Sequence, residues 1–99
     1  MNKTLVLWTH GGCSPYAGIY TVDAKRIQDF EATIRALSSP EARKKYNRII
    51  VSSLNEMQLS FGLKTTGELL QKLYELGAAC DYTVIVLLHS TDIEDYLEN

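Results

Sequence analysis

Ninety-nine residues, 45% hydrophobic and 22% charged, make one compact domain: enough apolar surface to offset the ordering entropy of a single core, and too little chain for two. The composition excludes a disordered chain. A net charge of −2 and an isoelectric point near 5.6 provide no global positive field, which disfavours a general binder of nucleic acid or of anionic membrane.

The charge is unevenly spread. Residues 25–48 carry seven Lys or Arg against Asp29, Glu31 and Glu41, whereas residues 73–99 carry six acids and no Lys or Arg. No apolar run reaches bilayer-spanning length, and the first residues lack the apolar region and small-residue cleavage site of a signal peptide. Cys13 and Cys80 are isolated, which reads as two thiols in a reducing, cytoplasmic setting. No spacing of ligands suggests a metal site, and nothing implies a cofactor.

In chain order, the apolar run Leu5 to Trp8, closed by Thr9, His10, Gly11 and Gly12, predicts a buried strand ending in a glycine loop. Residues 18–22 have strand propensity and suit an edge. Asp23 can cap a helix over 24–37, with Ile27, Phe30, Ile34 and Leu37 on its inner face. Ser39, Pro40 and Glu41 open another helix, with proline where its missing N–H costs nothing, and this helix ends near Tyr46 and Asn47. Arg48 to Ser52 is a further buried strand.

Within residues 53–64, the alternation of Leu59, Phe61 and Leu63 suggests a short edge strand. Thr65 with Glu68 forms a capping-box pattern ahead of a helix over 66–78, which carries Leu69, Leu70, Leu73 and Leu76 inward and ends at Gly77. Residues 83–88 give the strongest strand signal, apolar after Thr83, and should be central and covered on both faces. Thr91 with Glu94 repeats the capping box before a last helix through Ile93, Tyr96 and Leu97. Strands alternating with helices imply an α/β fold: one domain over residues 1–99, in two or three layers, with a largely parallel sheet of three to five strands.

In such sheets ligands bind beyond the carboxyl ends of the strands. Those ends hold His10, Gly11, Gly12 and Cys13, then Ser52 and Ser53, then His89, Ser90, Thr91 and Asp92. A thiol beside a histidine can act as an activated nucleophile, so His10, Cys13 and His89 are the catalytic candidates, with Gly11, Gly12, Ser53 and Asp92 as binding candidates. Trp8 and Thr9 followed by Cys13 to Tyr16 is faintly similar to a thioredoxin entry but lacks the second cysteine. His89–Ser90–Thr91 resembles half of a two-histidine phosphoesterase signature, and the other half is missing.

Leu54, Met57, Leu59, Phe61 and Leu63 form the other candidate surface, an apolar edge suited to pairing. No catalytic set is complete in the sequence. The favoured expectation is therefore a non-enzymatic interaction or regulatory module, pairing through residues 54–63 with itself as a homodimer or with another protein. A small enzyme or ligand-binding protein using the rim is the alternative.

Overall fold

A computed structural model of the chain describes residues 3–9 and 20–89. In these, four strands form one sheet: β1 (Thr4–Trp8), β2 (Tyr20–Asp23), β3 (Arg48–Ser52) and β4 (Thr83–Leu87). Four helices connect the later strands: α1 (Ile27–Leu37), α2 (Pro40–Lys45), α3 (Leu54–Phe61) and α4 (Leu63–Cys80). The sheet order is β2-β1-β3-β4, and every pairing is parallel. The α/β expectation with a parallel sheet therefore holds.

Parallel pairing sorts the strand side chains by parity. Leu5 and Leu7 lie beside Ile49 and Val51, which lie beside Val84 and Val86. These residues meet Phe30 and Leu37 of α1, Met57 of α3 and Leu69 and Leu73 of α4 in the main core. The alternate residues Val6, Ile50 and Leu87 form a second cluster with Trp8 and Ile85. The chain travels from β2 over β1 to β3, then on to β4 in the same direction across the sheet. Right-handed connections then put both helix pairs on one face, the face on which the main core is found.

Several boundaries differ from the sequence reading. Asp23 does not cap α1: it closes β2, opposite Trp8, and Ala24 N–H extends the pairing by donating to Trp8 O at 2.9 Å. α1 starts only at Ile27, after Arg26, whose guanidinium pairs with Asp29 at 2.9 Å. Ser39 does cap α2, its side chain accepting from Ala42 N–H at 3.3 Å.

The segment expected as an edge strand is helix α3. Leu54, Met57 and Phe61 recur at helical spacing, which turns Met57 and Phe61 toward the core and adds a second helix to the β3–β4 crossover. Met57 is fully buried and Phe61 packs on the core, while Leu59 and Leu63 are 81% and 74% exposed. Thr65 is not a cap, since α4 begins directly after Gly62, whose φ of 83° turns the chain between the two helices. Nor does Gly77 end α4, which runs on to Cys80 and closes at Asp81 in the left-handed region. β4 is an edge strand with a half-exposed centre, and β1 and β3 are the central pair. The final helix expected after Thr91 lies outside the described residues.

Candidate functional site

β1 connects to β2 on one side, and the chain then returns past β1 to build β3 and β4 on the other. The carboxyl ends of β1 and β3 thus flank the point where the direction of winding reverses, the usual ligand position in open parallel sheets. Thr9 follows β1, and Ser52 and Ser53 close β3 and open α3. All three are buried.

Thr9 ties the two strand ends together. Its N–H donates to Ser52 O at 2.9 Å, its hydroxyl donates to the same carbonyl at 2.9 Å, and that hydroxyl accepts from Ser53 N–H at 2.8 Å. The backbone at the end of β3 is thereby satisfied by one side chain. The side chains of Ser52 and Ser53 are not, for both Oγ atoms are buried without a hydrogen-bond partner among the described residues. Burying a hydroxyl unpaired costs about 1–3 kcal/mol, so two adjacent cases call for an explanation. Ser53 occupies the N-cap of α3 without capping it. The third such hydroxyl, Thr66 Oγ1, belongs to the first turn of α4.

The end of β4 joins this rim through Asn55. Its backbone N–H donates to Leu88 O at 3.2 Å, and its side-chain Nδ2 lies 2.7 Å from His89 Nδ1. Thr9, Ser53, Asn55 and His89 therefore connect the carboxyl ends of β1, β3 and β4. Glu56 adds a carboxylate to the first turn of α3.

Of the sequence candidates, Ser53 and His89 belong to this rim. His10, Gly11, Gly12, Cys13 and Asp92 lie outside the described residues. Among the described residues no group of three or more His, Cys, Asp or Glu is placed to hold a metal ion, and no helix is long and apolar enough to cross a membrane. Thr9 and Asn55 are not among the sequence candidates, and Ser52 is there only as a strand end. The signal for Thr9 and Ser52 is their position at the ends of the apolar runs of β1 and β3, whereas Asn55 becomes a rim residue only because α3 starts there.

The other candidate surface is reduced. Met57 is removed into the core, with Leu54 and Phe61 only partly exposed, leaving Leu59 and Leu63 on either side of Gly62. No family model, curated protein or solved structure matches the chain.

Proposed function

We propose that this domain binds a small molecule through a phosphate or carboxylate group at the carboxyl rim between β1 and β3. The observation that carries the reading is the pair of buried hydroxyls of Ser52 and Ser53 at the winding reversal, without a partner among the described residues. Each can donate to an acceptor oxygen, and the N-terminus of α3 beside them favours negative charge. Shielded from bulk water, such bonds face little competition from solvent. Neither hydroxyl is hydrogen-bonded to a base among the described residues, so the reading is binding rather than nucleophilic catalysis.

Amide-resolved NMR titration with inorganic phosphate, and separately with acetate, tests this. Saturable shifts at Thr9, Ser53 and Asn55, abolished by Ser53→Ala, are expected, and their absence with both anions sinks the reading. Glu56 places a like charge in the same turn, so Glu56→Gln should tighten phosphate binding several-fold.

The exposure of Leu59 and Leu63 favours a second reading, self-association around the α3–α4 elbow. Sedimentation equilibrium on the wild type and on Leu59→Asp plus Leu63→Asp decides it. A dimer converted to a folded monomer supports the pairing, and a monomeric wild type removes it.

A further inference from the structure

On the helix-covered side of β2, away from the rim, α1 presents Ala32 and Ala36, whose side chains are too short to close the gap to Val22. The result is a groove of about 270 Å³, floored by the core residues Leu5 and Leu37 and also bounded by Tyr46. Thr33 adds no polarity, because its hydroxyl is turned back to donate to Asp29 O at 2.9 Å. The volume falls below the ~300–1,000 Å³ of typical small-molecule and cofactor sites, and it suits one large apolar side chain.

Beside Tyr46 the surroundings are cationic and aromatic. The Tyr20 and Tyr46 rings meet edge to face at 5.6 Å, and Lys45 Nζ lies 4.0 Å from the Tyr20 centroid and 5.5 Å from that of Tyr46. Lys45 and its neighbours Arg43 and Lys44 are exposed and make no ion pair among the described residues. Residues 25–48, which include α1, α2 and Tyr46, have a net charge of +4. Two copies meeting here would set like charge against like, whereas an acidic partner meets its complement.

We infer that this groove docks a short acidic peptide segment, one apolar side chain seated between Val22, Ala36 and Tyr46 and a neighbouring carboxylate against Lys45. The probe is a blocked pentapeptide of alternating glutamate and leucine, compared with its lysine–leucine counterpart by NMR on the full chain. Saturable shifts at Val22, Ala36 and Tyr46 are expected with the acidic peptide alone. Lys45→Glu should weaken binding by about tenfold or more. Ala36→Trp, which fills the groove from an exposed helix position, should abolish it with the circular dichroism unchanged, and Ala32→Glu serves if that variant does not fold. Equal binding of the two peptides, binding that survives a folded groove variant, or no saturable shift overturns the proposal. So does a concentration-dependent dimer whose interface maps to these same amides, which would replace the peptide by a second copy.

Discussion

Thr9, Ser52 and Ser53 sit within one turn of chain from each other's strand ends, yet their hydroxyls have opposite energetics. The Thr9 hydroxyl serves a buried carbonyl and a buried N–H. Thr9→Val would strand Ser53 N–H and cost about 2–3 kcal/mol, read from urea unfolding. Ser52→Ala and Ser53→Ala remove groups that bond to no described residue, so each should be neutral or stabilising by up to about 1 kcal/mol in the absence of ligand. A loss comparable to that of Thr9→Val would show that these hydroxyls are structural.

Tyr82 gives a pH-dependent counterpart. Its hydroxyl donates to Leu37 O across the core, and burial, followed by the influence of Cys80, pushes its pKa above the usual tyrosine value. A raised folded-state value means that the stability it contributes is complete below the unfolded value of about 10 and is lost as pH rises through the folded one. Stability should therefore fall on the alkaline limb, and Tyr82→Phe should flatten that limb while costing about 1–2 kcal/mol at neutral pH. Equilibrium unfolding from pH 7 to 11 checks both. Polar residues after a strand are legible in sequence, which is why Ser53 and His89 could be named. Which hydroxyl is spent on backbone and which is left over depends on the register between β1 and β3, and no local pattern encodes that.

At the scale of elements, the two glycines of α4 separate helix propensity from packing. Gly67 has open space where a Cβ would stand, so Gly67→Ala should stabilise by about 1 kcal/mol. At Gly77 a Cβ would come within 2.9 Å of Val84 Cγ2 and 3.2 Å of Tyr82 O. The close approach of α4 to β4 requires glycine there, and Gly77→Ala should destabilise by about 1–3 kcal/mol despite its better propensity. Paired thermal melts decide whether this asymmetry exists. Gly77 looked like a helix stop because composition cannot distinguish a glycine that ends a helix from one that lets it pack. The segment forming α3 is ambiguous in a similar way: Leu59, Phe61 and Leu63 alternate as in a strand, while Leu54, Met57 and Phe61 recur as in a helix, and the helix is the arrangement that buries Met57 and packs Phe61 on the core. β4 shows the reverse limit. Its unbroken apolar run reads as central, yet it lies at an edge, because covering both faces of a strand does not require a neighbour on both sides.

For the whole molecule, the order β2-β1-β3-β4 turns local chemistry into a site. The carboxyl ends of β1 and β3 carry both the reversal of winding and the hydroxyls without a partner among the described residues, and the same two strands are the centre of the sheet. A ligand held there bridges the middle of the only sheet among the described residues, so its binding free energy should appear in global unfolding rather than in a local loop. At one hundred times its dissociation constant a ligand adds about 2.7 kcal/mol, which for a chain of this length raises the melting temperature by roughly 10–20 °C. Ser53→Ala should begin at an equal or higher melting temperature and show no rise with the same ligand. That crossing of the two variants is difficult to obtain from a merely structural serine, whose loss would lower the starting temperature and leave the ligand increment intact. Thermal unfolding across a panel of phosphate- and carboxylate-bearing metabolites therefore identifies the ligand and tests the site together. A compound that stabilises the wild type and Ser53→Ala equally would place binding away from the β1–β3 rim.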